Sequence, residues 1–278
     1  RKECPKITLL RTTNCPYLAV RLPRMKKVVQ FSLLFASICL FSAPVWGQLT
    51  TRDSVRTVQL WGLSPSILVP AADLADRYEP FAAATVSYQR KNKKNRFYGL
   101  DFDAFYGTSV KNTDAIFGGL TDENGNYIGV NGEFAIMNAG LSGAQITVNT
   151  GRIFKPHYNP NSGWMVLQGF GLQQTKISVR NERGNYPQLA VPMIYGYDRL
   201  HRGVASKSSL RYLHLDNDER INFMVGLTVN TAVTSSVRGF NVDTGLEDSA
   251  LKLDLSVGVN FTWLLPVYAK QESFFLTD

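Results

Sequence analysis

From Leu251 to Trp263 the chain alternates without a break. Leu251, Leu253, Leu255, Val257, Val259, Phe261 and Trp263 are apolar, and Lys252, Asp254, Ser256, Gly258, Asn260 and Thr262 stand between them. A period of two over this length is a strand with one apolar and one polar face. Strands in soluble domains usually run about 5–6 residues, whereas a strand tilted across a bilayer needs about 9–11. Inside lipid every backbone amide must find a partner, so strands cross a membrane only when the sheet closes on itself. The stretch therefore predicts an all-β fold, a closed antiparallel transmembrane β-barrel.

The N-terminal region names the membrane. Met25-Lys26-Lys27 opens a short basic segment, an apolar run follows from Val28 to about Pro44, and Val45-Trp46-Gly47 precedes Gln48. This is the pattern of a secretory signal peptide over residues 25–47, with an apolar run too short for a comfortable membrane span. Residues 1–24 read as an upstream extension outside the exported product, and residues 48–278 as the barrel domain. An exported barrel belongs to the bacterial outer membrane.

Removing the leader changes the charge argument. The whole chain carries a formal +8, but eight of its 30 basic residues and only one of its 22 acidic residues precede Gln48. The remainder has 22 basic and 21 acidic residues, a net of +1. The basic balance is a property of the leader and gives no support to nucleic-acid binding. All three cysteines (Cys4, Cys15 and Cys39) also lie before Gln48, so no disulfide framework is expected.

Eight strands are predicted, at about 57–68, 81–90, 97–106, 141–154, 163–179, 204–215, 220–233 and 251–263. The third and seventh are as clear as the last. Tyr98, Leu100, Phe102, Ala104 and Tyr106 share one face of the third, and Ile221, Phe223, Val225, Leu227 and Val229 share one face of the seventh. The first contains Pro65, a warning within a central strand. The connections alternate in length. Those after strands two, four and six (91–96, 155–162, 216–219) are short, and those after one, three, five and seven (69–80, 107–140, 180–203, 234–250) are longer. In outer-membrane barrels the short turns are periplasmic and the long loops extracellular, and the strand number is even.

Charged residues lie opposite the leucines and aromatics. Asp101, Asp103, Lys207, Arg211, Lys252 and Asp254 are expected to face a narrow lumen as a paired charge network, because eight strands leave room for little more than side chains. A soluble lipocalin-like barrel would fill its interior with apolar groups and wet its outside. The recurrence of charge opposite the apolar face favours the inside-out arrangement.

Two loops bear on recognition. Asn124-Gly125, flanked by strand-like residues, is a hairpin turn signal, and residues 134–137 are expected to extend the order. Tyr195, Tyr197, Asp198, Arg199, His201 and Arg202 in the 180–203 loop form either a recognition patch for sugar, peptide or lipid headgroup or a packed cover over the barrel mouth. His157, His201 and His214 fall at different ends of this topology and do not converge on a metal. His201 with Asp198 and a loop serine is the one combination available for lipid chemistry, and no phosphate loop, dinucleotide fingerprint or nucleophile elbow is present. No cofactor is implied.

The leader, the eight amphipathic strands and the loop alternation together resemble the small outer-membrane barrels of the OmpA/OmpX type over approximately residues 48–269. The leader ending at Gly47-Gln48 resembles those found with type IX secretion, whose machinery includes a small barrel that anchors a periplasmic ring. The resemblance implies a non-enzymatic anchor, scaffold or surface-binding component. Its partners would be the outer-membrane bilayer and an envelope or secretion-complex protein, with no nucleic acid. A lipid- or headgroup-modifying enzyme and a narrow pore are the alternatives. One feature departs from the pattern: Pro266 and a tail bearing Phe274 and Phe275 follow Trp263. Pro266 is expected to end the pairing, and the tail leaves ten strands as the alternative count.

Overall fold

The computed structural model describes residue 55 and residues 57–268, apart from 123, 130, 157–158, 184–186, 217–220 and 243. Residues 1–47, expected to be an upstream extension and a signal peptide, lie outside the described residues, as do His157 and the tail bearing Phe274 and Phe275.

The strands in chain order are β1 (Val58–Ala72), β2 (Phe81–Lys91), β3 (Arg96–Tyr106), β4 (Tyr127–Ile128), β5 (Phe134–Pro156), β6 (Gly163–Arg183), β7 (His201–Leu215), β8 (Asn222–Ser236), β9 (Phe240–Asn241), β10 (Leu246–Glu247) and β11 (Lys252–Tyr268). A short helix, α1 (Thr113–Phe117), lies in the connection between β3 and β4. Eight of these strands form a closed antiparallel ring in the order β1-β2-β3-β5-β6-β7-β8-β11. The ring closes between its first and last members, from Val58↔Tyr268 to Ala72↔Asp254. Closure leaves no sheet edge facing lipid, which is what allows strands to cross a bilayer.

The alternation in sequence becomes an alternation of environment. On β3, Leu100, Phe102, Ala104 and Tyr106 point outward while Phe97, Asp101, Asp103 and Phe105 are buried. Three tryptophans, Trp61, Trp164 and Trp263, sit on the outer face near the end that carries the short turns. Trp61 meets Tyr88 at a centroid distance of 4.8 Å and Trp164 meets Tyr212 at 5.6 Å. Aromatic rings gather where an apolar band meets water, and in outer-membrane barrels the short turns are periplasmic. These pairs mark the interface at the short-turn end, which on that pattern is the periplasmic end.

The prolines sit where the ladder has slack. The expectation that Pro266 ends the last strand is corrected: β11 continues to Tyr268, with Pro266 opposite Leu60. Pairing of β11 to β8 among the described residues stops at Trp263↔Phe223, so among them Pro266 pairs on one side only, the position in which a missing N–H is tolerated. The same holds for Pro70, beyond the last β1–β2 pair at Leu68↔Phe81. At Pro65 the ladder to β11 skips Ser64 and Pro65 while register is kept.

β5 and β6 are longer than their sequence pattern suggested and rise beyond the ring as one hairpin, with Ala139 opposite Val179 and Met137 opposite Asn181. Asn124-Gly125 does form a turn. Gly125 has φ +79°, and Asp122 Oδ1 accepts from the amides of Asn124 (2.9 Å) and Asn126 (2.7 Å). The paired segment, however, follows this turn instead of flanking it: Tyr127 and Ile128 pair with Ala135 and Phe134.

Candidate functional site

Inside the ring the side chains sort into layers. The middle layer is polar. Asp101 and Asp103 are two residues apart on β3, and Lys207 and Arg211 are four apart on β7, so each pair shares an inner face. Lys207 Nζ donates to Asp103 Oδ1 at 2.7 Å, to Asp103 Oδ2 at 2.9 Å and to Asp101 Oδ2 at 3.0 Å. Thr85 Oγ1 donates to Asp103 Oδ1 at 2.5 Å. Arg211 Nη2 lies 4.0 Å from Asp101 Oδ2 and donates to Ser209 Oγ at 3.3 Å. Two carboxylates thus face two cations, and an unpaired member would carry a large desolvation penalty. Arg211 fits because its register partner is Gly226. A Cβ there would fall 2.2 Å from the Leu210 carbonyl oxygen and 3.0 Å from Arg211 Cγ.

Apolar side chains close this layer on the periplasmic side. Leu60, Phe97, Met165, Leu213, Met224 and Leu264 form a buried cluster across seven strands of the ring together with Val58, Ile153, Leu167 and Leu215. On the extracellular side a second cluster joins Leu68, Phe81, Phe105, Leu141 and Ile177 from the strands to Ile116 and Phe117 from α1. Leu74 and Tyr78 from the β1–β2 loop belong to it as well. Burial pushes the Tyr78 phenol up to about 12, against the nearby Arg77 cation and with the Asp254 carboxylate.

Lys252 and Asp254 do not join Asp101, Asp103 and Arg211, as their shared face suggested. They lie near the mouth. Asp254 is paired with Arg77, which enters from the β1–β2 loop, and accepts from Thr234 Oγ1 at 3.0 Å. Lys252 Nζ donates to Asp248 Oδ2 at 2.9 Å and lies 3.1 Å from His201 Nε2. Burial works against the Asp248 carboxylate, but the Lys252 ammonium outweighs it and holds Asp248 below the usual carboxylate range.

The residues expected as a loop recognition patch are divided. Asp198 is buried and accepts from Arg238 Nε (3.0 Å) and Nη2 (2.6 Å), and these bonds raise the Arg238 pKa. Arg238 also covers the Tyr195 ring at 4.3 Å. Tyr197 stacks on Phe117 at 6.0 Å. His201 is the first residue of β7, fully buried, with Nδ1 2.7 Å from the Arg199 carbonyl. Arg202 points outward and donates to Gln174 Oε1 at 2.6 Å. Asp198, Tyr197 and His201 therefore hold the loop onto the mouth, while Tyr195 and Arg202 face outward. His201 hydrogen-bonds no serine among the described residues, and Asp198 is engaged by Arg238, so the combination considered for lipid chemistry is not assembled.

Sequence reasoning passed over a different surface. Val191, Met193 and Leu246 are 71, 62 and 68 % exposed, and Phe240 and Val242 are exposed as well. The β6–β7 and β8–β11 loops lie together: Val242 N donates to Gly196 O at 3.3 Å, and a Cβ on Gly196 would fall 2.3 Å from Val242 Cγ2. Two loops that lie against each other thus both carry exposed apolar side chains.

No family model matches the chain, and no curated protein matches its sequence. Solved structures of similar strand arrangement include Ail, the attachment invasion locus protein of Yersinia pestis, in complex with the heparin analogue sucrose octasulfate. It is 9 % identical, covers 75 % of this chain and 98 % of Ail, and has a TM-score of 0.39. Neisserial surface protein A is 8 % identical over 74 % of this chain and 96 % of its own, with a TM-score of 0.35. OprG from Pseudomonas aeruginosa is 11 % identical over 77 % and 97 %, with a TM-score of 0.33. This chain is a closed eight-stranded antiparallel β-barrel with an apolar outer wall.

Proposed function

We propose that this barrel is a non-enzymatic surface component of the outer membrane, a rigid anchor that presents the exposed apolar side chains of its β6–β7 and β8–β11 loops to a protein partner. The observation that carries the reading is the exposure of Val191, Met193, Phe240, Val242 and Leu246 on two loops that lie against each other. Large apolar side chains exposed together on a loop surface outside the lipid band mark protein interaction sites. The interior supports the same reading, because apolar clusters lie on both sides of the polar layer and the charges within that layer are paired.

Site-specific photo-crosslinking in the living bacterium tests it. A photoreactive side chain at Met193 or Leu246 is expected to give protein adducts, and the same group at lipid-facing Phe102 is expected to give none. Equal adduct formation at all three positions, or none at the loop positions, would set the reading aside. Unitary conductance in planar bilayers would also count against it, since a sealed anchor passes no ions.

A further inference from the structure

The periplasmic end carries an unusual concentration of positive charge. Five of the seven residues from Arg90 to Arg96 are basic, and neither residues 81–100 nor residues 134–181 include an aspartate or glutamate. Lys91 turns inward and donates to Asn161 Oδ1 at 2.7 Å, but Arg90, Arg96 and Arg152 are exposed on the outer wall. Register brings them together. Arg96 stands directly opposite Arg152, and in the adjacent row Arg90, Tyr98 and Thr150 stand side by side.

Directly opposed residues have Cβ atoms about 4.5–5.5 Å apart and diagonal ones about 7–8 Å, and like charges directly opposed are destabilising. Among the described residues no carboxylate forms an ion pair with any of these three guanidinium groups. Tyr98, between them and half exposed, points to the level at which aromatic rings meet lipid headgroups. Guanidinium groups on flexible stems reach headgroup phosphates from such positions and bind them bidentately.

We propose that Arg90, Arg96 and Arg152 form a site for the phosphate of an anionic phospholipid in the periplasmic leaflet, with Tyr98 packing against the glycerol and upper acyl region. The site rests on the orientation that puts the short turns in the periplasm and is independent of the role given to the extracellular loops. The three side chains leave the barrel wall sideways, at the height of the lipid, whereas Lys93 and Lys94 occupy the turn below. That placement favours a lipid over a periplasmic protein or the cell wall.

Native mass spectrometry of the purified barrel in neutral detergent, titrated with phosphatidylglycerol or phosphatidylcholine, tests the site. The unaltered protein is expected to prefer phosphatidylglycerol. R96Q/R152Q should weaken phosphatidylglycerol binding by about fivefold for each arginine removed and leave phosphatidylcholine binding unchanged. K93Q/K94Q, with the same change in charge at the turn, should bind as the unaltered protein does. Heat-dependent gel migration checks folding of each, and Arg152→Gln alone serves if the double variant does not fold. Unchanged lipid binding in R96Q/R152Q, or an equal loss in K93Q/K94Q, overturns the proposal. So does unchanged lipid binding accompanied by lost binding to purified peptidoglycan, which would assign the cations to the cell wall.

Discussion

Lys207 on β7 reaches across the lumen to Asp103 on β3, its ammonium 2.7 Å from one carboxylate oxygen and 2.9 Å from the other, although β5 and β6 separate the two strands in the ring. The bond ties opposite walls together. Removing one partner of a buried pair leaves an uncompensated charge, at a cost of about 3–5 kcal/mol. Lys207→Met is therefore expected to lower the urea-unfolding free energy in vesicles by about that amount. K207M combined with D103N should recover most of the loss, because Arg211 and Asp101 then remain as one balanced pair. If K207M unfolds at the urea concentration of the unaltered protein, the pair is not a structural tie.

The periplasmic apolar cluster gives a second comparison. Leu213 is fully buried inside the ring, while Leu227 faces outward and is 53 % exposed. Leu213→Ala leaves a cavity that the wall cannot fill, so it should cost about 2–5 kcal/mol. Leu227→Ala gives up transfer energy only, about 1–2 kcal/mol, because lipid chains move into the space. Unfolding titrations of the two variants should separate them in that order, and equal losses would contradict the inward position of Leu213.

How far the sequence revealed these features depends on the contrast between faces. β3, β8 and β11 were legible because lipid lies on one side and polar groups on the other. At the periplasmic ends of the strands, Phe97, Met165, Leu213 and Leu264 are apolar inside while their neighbours are apolar outside, so alternation fades where the plug forms. Asp101, Asp103, Lys207 and Arg211 were placed on inner faces by period alone. Their separation from Lys252 and Asp254 depends on strand stagger and on Arg77 and Asp248, which come from loops and follow no period. Pro266 differs from expectation for a related reason: a local rule cannot show that the strand goes on pairing with β1, where Pro266 stands opposite Leu60. The Arg96–Arg152 opposition requires the register of strands far apart in sequence.

The Lys252–Asp248 contact links the β8–β11 loop to pH. Asp248 has its folded pKa held below the usual carboxylate range, mainly through Lys252 against the effect of burial. A depressed carboxylate contributes stability above its unfolded pKa of about 3.9 and loses it as pH falls through the lower folded value. Hydrogen exchange in residues 237–251 should therefore stay protected from neutral pH down to about pH 4 and rise below it, after correction for the intrinsic pH dependence of exchange. Asp248→Asn should show the faster exchange already at neutral pH, with no further step on acidification. A step retained in D248N would assign the transition to another group.

Phe102 tests the membrane placement most directly. It lies midway along the outer face of β3, four residues from Tyr98 and four from Tyr106, and is 50 % exposed. Arginine at the bilayer midplane of a barrel costs about 2–4 kcal/mol, and the cost falls to about 0–1 kcal/mol near the interfaces. Phe102→Arg is expected to reduce unfolding free energy in vesicles by the larger amount. Tyr106→Arg, at the extracellular rim where Arg180 already lies 4.7 Å from the ring, should show the smaller one. The same pair measured in detergent micelles should differ less, because a micelle adapts around an outward charge. Equal penalties at the two positions in vesicles would place the apolar band elsewhere on the wall.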